Sequence, residues 1–244
     1  MLQGLYSAAA SMDAADLQHA IVSRNLAHVN VPGFRRMFVH YQSNSSGSGD
    51  GGGVDTSGYK GPGTPTIAVD FQSGPTQATN RSLDVALMGE GFFAVQGPSG
   101  PLYTRSGSFQ LNNEGYLVSS EGLPVLNEEG GTFQVPRGST EGDVSISTGG
   151  RVTCKGNVIG TLQRVDFSDR KVLIPQGATL FEAPQDSFPS PVTTALQSGL
   201  REQSNVNPAS ELVIMLTGMR QYEAAQRTMS TIGGALRERI DLGR

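Results

Sequence analysis

From Leu5 the apolar positions recur in steps of three and four: Leu5, Ala8, Met12, Ala15, His19, Val22, Leu26 and Val29, with His19 the one polar member. Such steps draw a single stripe along a helix, and no Pro or Gly interrupts the segment between Leu5 and Val29, so the pattern predicts a helix there. Asn30, Pro32 and Gly33 then end it: Pro biases Val31 away from the α region, and Gly33 accepts a positive φ. A second stripe begins after Asn207-Pro208, a good helix start, and runs through Leu212, Met215, Met219, Tyr222, Gln226, Met229, Gly233, Leu236 and Ile240. Its polar member is Gln226, and the pair Gly233-Gly234 is expected to weaken the last turns.

Between the two ends the period changes. Leu83, Val85 and Leu87 alternate, residues 92–95 resume after a Gly-Glu-Gly break, and residues 102–111 form a long alternating run. Asn112-Asn113-Glu114-Gly115 reads as a hairpin turn before residues 116–118, and further strands are expected at 133–135, 144–147, 151–154, 158–167 and 171–174. The fold class is therefore α+β: N- and C-terminal helices pairing as a coiled coil, with a central all-β domain, a distorted barrel or sandwich. The domain reading is 1–34 and 202–244 as the terminal helical domain, 35–65 as a Gly/Ser-rich linker or loop, and 66–201 as the β-rich domain. A stripe this narrow is lean for a helix of a globular core, so each end needs a partner: the other end first, then the ends of neighbouring molecules. The competing arrangement is a two-helix hairpin packed on the protein's own sheet.

Composition adjusts this picture in a few places. The 244 residues are 36% hydrophobic and include 32 Gly, 13 Pro and no Trp, which suits many short strands joined by turns. Residues 44–63 are so rich in Gly that they bury too little apolar surface to offset their ordering entropy. A net charge of −4 without a basic stripe argues against nucleic acid as a partner. No apolar run approaches the ~20 residues that span a bilayer, and the first residues lack the charged and apolar regions of a cleavable signal peptide. Cys154, the lone cysteine, reads as a small strand residue and leaves the redox compartment open.

Candidate chemistry is sparse. His19, His28 and His40 all precede the β domain, and no nucleophile elbow, zinc-protease helix motif, phosphate loop or dinucleotide fingerprint occurs. The Gly-rich stretch holds one imperfect copy of a calcium-binding turn, which by itself makes no site because such turns bind in stacked repeats. Glu128 and Glu129 beside Gly130-Gly131 read as a solvated turn. No catalytic, cofactor-binding or metal-binding residue is therefore assigned. Within the helical stripes, His19 could set register or respond to pH with Gln226 as its counterpart.

The string NLAHVNVPGF at residues 25–34 resembles the N-terminal signature of bacterial flagellar axial proteins, the rod and hook group, whose usual form is close to NLANVNTPGF. His28 stands where that form has Asn and Val31 where it has Thr. Three further stretches resemble the same family in the same order: LDVALMGEGFFAV at 83–95, YTRSGSFQLNNEGYL at 103–117 and SNVNPASELVIMLTGMRQYEAAQRTM at 204–229. Length and a single β domain fit the rod proteins, of proximal or distal type, better than the larger hook protein. The unaligned Gly-rich stretch leans the reading toward the proximal type.

The resemblance implies a structural subunit of the flagellar basal-body rod, exported unfolded through the flagellar type III apparatus without signal-peptide cleavage. It would polymerise in the periplasm with copies of itself and with other rod or hook subunits. The assembly seam it implies comprises Leu5, Met12, His19, Val22, Leu26 and Val29 with Leu212, Met215, Met219, Tyr222, Gln226, Met229, Leu236 and Ile240. The family turn carries over as Asn25, Leu26, Asn30, Pro32, Gly33 and Phe34. A monomeric surface or carbohydrate-binding β module on a helical stalk is the alternative. A peptidoglycan hydrolase, which would need a convergent acid pair that no motif supplies, is a distant third.

Overall fold

Both terminal stripes become helices. The computed structural model describes residues 2–42 and 64–241, and in it α1 spans Leu2–Ala27 and α2 spans Pro208–Asp241. Asn207 caps α2 as its identity predicts, its Oδ1 accepting from Ala209 N–H at 3.0 Å and Ser210 N–H at 3.3 Å. The helix runs on through Gly233-Gly234, because two glycines cost less than the cooperative continuation of a 34-residue helix supplies. The Gly-rich residues 44–63 lie outside the described residues.

The chain divides into two compact units. The first joins α1 and α2 to a hairpin of β1 (Met37–Gln42) and β2 (Thr64–Val69), antiparallel from Met37 opposite Val69 to Gln42 opposite Thr64. Eight residues of the expected linker are thus strand, six in β1 and two at the start of β2: half of MFVHYQ is β-branched or aromatic, and its pairing partner lies beyond the Gly-rich stretch. The helices lie antiparallel, with Asn25 beside Glu211 and Gly4 beside Ile232.

The second unit comprises His28–Arg36 and Phe71–Val206, so the turn after α1 groups with the β-rich part. Its strands follow in order: β3 (Thr76–Ala78), β4 (Val85–Leu87), β5 (Phe92–Gly97), β6 (Gly100–Thr104), β7 (Phe109–Leu111) and β8 (Leu117–Ser119). Then come β9 (Val144–Ile146), β10 (Arg151–Cys154), β11 (Asn157–Thr161), β12 (Arg164–Asp166), β13 (Ile174–Gln176) and β14 (Leu180–Glu182). The last three are β15 (Ser190–Pro191), β16 (Leu196–Ser198) and β17 (Leu200–Glu202). A six-stranded sheet has the order β13-β14-β6-β5-β12-β15, a three-stranded one β11-β10-β9, and β16-β4, β17-β3 and β7-β8 form antiparallel pairs.

The core of this unit gathers Leu83, Val85, Phe93, Val95, Phe109 and Leu117 with other buried apolar residues, and the Phe93 and Phe109 rings meet edge to face at 5.2 Å. Cys154 is buried there on β10. The long run expected over 102–111 is broken: β6 ends at Thr104 and β7 starts at Phe109. Gly107 sits so near Val85 O that a Cβ would lie 1.7 Å from it, and this close approach, together with a buried Arg105, diverts the chain between the two strands. At 171–174, where a strand was expected, Arg170–Val172 form a turn of 3₁₀ helix because the Asp169 carboxylate accepts from Lys171 N–H at 2.9 Å.

Candidate functional site

Among the described side chains, the buried residues of α1 are Ala8, Ala15, Ile21, Val22 and Asn25, and those of α2 are Glu211 and Ala225 together with Gly218. Ala8, Ala15 and Val22 are spaced by seven, as are Glu211, Gly218 and Ala225, so each set is one stripe. A groove of about 580 Å³ lies between the helices, lined by Gly4, Ala8, Ser11, Ala15, Ala224 and Ala225 among others. Small side chains let the two backbones approach closely: Ile232 Cδ1 is 3.3 Å from where a Cβ on Gly4 would be.

This intramolecular stripe overlaps the sequence-derived seam without coinciding with it. Val22 is buried; Met12, Leu26, Val29, Met215, Tyr222 and Met229 are half-buried; His19, Leu212, Met219 and Gln226 are exposed. The side chains of Leu5, Leu236 and Ile240 lie outside the described residues. Large apolar residues drew the α2 seam one position away from the stripe that actually packs in one chain, where Glu211, Gly218 and Ala225 carry the contact. His19 and Gln226 are solvated, so neither is a buried register-setting group within a single chain.

Two polar side chains, Asn25 and Glu211, sit buried inside the helix pair. Asn25, fully buried, donates from Nδ2 to Met37 O at 2.8 Å and to Glu211 Oε2 at 3.1 Å, and accepts from Met37 N–H at 3.0 Å. A single amide therefore satisfies both backbone groups at the start of β1 and ties them to the first turn of α2. Glu211 is itself fully buried and lies in that first turn, where the helix dipole favours a carboxylate.

The turn that follows belongs to the other unit. Val31 N–H donates to His28 O at 3.0 Å and Phe34 N–H to Val31 O at 3.2 Å, and the His28 ring stacks on Phe34 with centroids 4.9 Å apart. His28, a departure from the usual family motif, thus gains a ring contact that Asn could not make. Gly33 has φ +71°, and a Cβ there would meet Ser106 N at 2.4 Å, so both conformation and space demand glycine. Asn30 is exposed, Pro32 half-buried and Phe34 fully buried.

Beyond the turn, Arg35 and Arg105 share one carboxylate. Glu202 accepts through Oε1 from Arg35 Nη2 at 2.7 Å and from Gly74 N–H at 3.0 Å, and through Oε2 from Arg105 Nε at 2.9 Å. All three side chains are almost completely buried. Arg105 also donates to the carbonyls of Gly89 and Gly91, and burial lowers its pKa below the ordinary arginine value despite Glu202. Nearby, Arg170 chelates Asp166 at 2.6 and 2.8 Å and reaches Glu90 at 2.7 Å. The Asp166 and Glu90 carboxylates hold Arg170 above its usual range, while Arg170 holds Glu90 below. Burial alone would raise Asp166, but the hydrogen bonds from Arg170 and Phe167 N–H outweigh it and leave that carboxyl low as well.

Arg35, Glu90, Arg105 and Arg170 line a cavity of about 100 Å³, and each of the three arginines is paired with a carboxylate. No group of three or more His, Cys, Asp or Glu residues able to hold a metal ion occurs among the described residues. Arg35 and Glu202 fall outside the family-like stretches, and Arg105 and Glu211 lie inside them with nothing nearby in sequence to mark their partners. Glu202 lies 97 residues from one arginine and 167 from the other.

Known proteins give this geometry a context. A sequence model described as the flagellar hook protein FlgE/F/G D1 domain matches residues 86–154, and one described as the flagellar basal body rod FlgEFG protein C-terminal matches residues 197–238. The flagellar basal-body rod protein FlgG of Bacillus subtilis is 30% identical to this chain over the whole of both. The chain belongs to the flagellar basal-body rod protein family.

FlgG of Buchnera aphidicola from Acyrthosiphon pisum is 32% identical over 95% of this chain and 96% of its own. The rod protein FlgF of Caulobacter vibrioides is 31% identical over 91% of this chain and 89% of its own. In this rod-family chain the first matched region runs from β4 to β10, and the second takes β16, β17 and nearly all of α2. The turn at 25–34 lies outside both. No helix among the described residues is long and apolar enough to cross a membrane.

Proposed function

We propose that this chain is a structural subunit of the flagellar basal-body rod, in which the terminal helices pair as a coiled coil and associate with those of neighbouring subunits into a helical tube. The β-rich part of the subunit is a distorted barrel or sandwich. The subunit leaves the cytoplasm unfolded through the flagellar type III apparatus and assembles in the periplasmic part of the rod, with copies of itself and with other rod or hook subunits. Of the seam residues read from sequence, the exposed His19, Leu212, Met219 and Gln226 are the positions offered to those neighbours, and the buried Val22 serves the pairing within one chain.

The observation that carries this reading lies in the first turns of α2. Glu211 and Gly218 are buried, yet Leu212, Val213, Leu216 and Met219 on the same turns are between 49% and 63% exposed. A chain that functions alone gains nothing from leaving four large apolar side chains of one helix in water, whereas a subunit completes their burial on assembly. The kinship with rod proteins over the full length supplies the class of assembly.

Light scattering and electron microscopy at rising concentration test it, comparing the full chain with one lacking residues 1–30 and 207–244. The full chain is expected to form filaments or ordered oligomers while the shortened one stays a folded β monomer. Equal behaviour of the two at every concentration would sink the proposal.

A further inference from the structure

Arg35 is buried in the β-rich unit with 1% of its side chain exposed, and its donors are only partly used. Nη2 reaches Glu202, whereas Nε and Nη1, both closed off from solvent, meet no acceptor among the described residues. Buried donors are nearly always paired, and a guanidinium does not give up its charge, so two idle nitrogens on one arginine mark a place where an acceptor belongs.

Arg35 is also a wall of the cavity of about 100 Å³, which it shares with Arg105, Arg170 and one carboxylate, Glu90. Glu202 serves Arg35 and Arg105 at once, so that buried cluster carries one positive charge more than its carboxylate cancels. Arg170 is held by Asp166 and reaches Glu90, whose side chain is 76% exposed and meets it from the solvent side. The protein's own carboxylate is thus drawn to the edge of an arginine-lined cavity. Water would satisfy the idle donors but leave the surplus charge, whereas an oxyanion answers both. The volume equals that of roughly three water molecules, which admits a single phosphate- or carboxylate-sized group and excludes a nucleotide.

We infer that this cavity binds one small oxyanion, a free phosphate or a small carboxylate. The anion accepts from the idle nitrogens of Arg35 and from Arg170, and takes the side that Glu90 holds in its absence. The Ser73 hydroxyl, 3.4 Å from Arg105 Nη2, stands in the same wall as a further donor. Glu90 is then a competitor built into the chain, displaced into solvent when the ligand enters. Every group of the site belongs to the β-rich unit, so the site goes beyond the rod-subunit reading and stands whether or not copies assemble.

Isothermal titration of sodium phosphate into the full chain, at ionic strength held constant with sodium chloride, tests the site. One phosphate per chain is expected to bind saturably, with a Kd of about 1 mM or below. Acetate in the same titration separates the sources: binding of phosphate alone makes the ligand a phosphate, and binding of both makes it an oxyanion of either kind. Glu90→Gln removes the competitor and is expected to tighten binding about threefold. Arg170→Gln removes a charged donor and is expected to weaken it at least about tenfold. Circular dichroism verifies that both variants fold, and the exposed Glu90 position carries the test should the Arg170 variant unfold.

No saturable binding of either anion over chloride would overturn the site and leave the idle donors to water. A signal that grows with salt without saturating is the general effect of excluded salts and would count the same way. Saturable binding that Glu90→Gln leaves unchanged would mean an adventitious ion only, bound elsewhere, and would overturn the assignment too. The rod-subunit reading survives each of these results, since none of them concerns assembly.

Discussion

Glu202→Gln is expected to destabilise the β-rich unit more than any other single substitution of similar volume. The glutamine retains the shape and one acceptor but removes the carboxylate that pairs with both Arg35 and Arg105, each almost fully buried. Breaking a buried ion pair from one side costs about 3–5 kcal/mol, because an uncompensated charge stays behind. In a unit of this size such a loss lowers Tm by about 10 °C or more. Thermal unfolding followed by near-ultraviolet circular dichroism reads it directly. The solvated pair Arg227 and Glu223 provides the contrast: Arg227→Ala should change monomer stability by no more than about 0.5 kcal/mol.

Asn25→Leu should have the second largest effect, in the helical unit. Leucine fits the volume but leaves the buried N–H and C=O of Met37 without the partners Asn25 provides, and takes a donor from Glu211. Each orphaned buried polar group costs about 1–3 kcal/mol, so the helix pair should lose at least about 3 kcal/mol. Loss of helical signal at lower denaturant concentration, with the β signal unchanged, is the expected readout. Asn25→Asp separates charge from shape, since it sets a second carboxylate against Glu211. Like charges raise the pKa of one member of such a pair, so this variant should be weak at neutral pH and recover stability as pH falls and the shared proton binds. Undiminished stability of this variant at neutral pH would show that Asn25 acts through volume alone.

Both predictions concern residues with different histories in the sequence. Asn25 belonged to the recognisable turn string, so its importance was legible even though its partners were not. Glu202 sits in a stretch with no motif, and its partners are distant along the chain. Period and punctuation were enough to find the terminal helices, the end of α1 to within two residues of Ala27, the Asn207 cap and the β-rich middle, because each depends on neighbouring residues. They were not enough to find the strand at 37–42, whose partner lies beyond the Gly-rich stretch, or the break between β6 and β7, which depends on Gly107 meeting Val85.

The α2 stripe carries the same lesson in a different form. Leu and Met fit an apolar stripe best, and so Leu212 and Met219 stand out along the sequence. Within one chain the helices meet instead through Gly218 and Ala225, where small size permits close approach, and through Glu211, whose burial depends on an amide 186 residues away. The large residues left outside are what the assembly reading uses.

The central claim is that the terminal helices complete their burial only against other copies, and amide hydrogen exchange along the full chain, dilute and then assembled, tests it most directly. On assembly, protection of amides in 2–27 and 208–241 should rise by at least about a hundredfold while that of β4 to β6 stays where it was. Helical amides protected as strongly in the dilute monomer as in the assembled state would contradict the account.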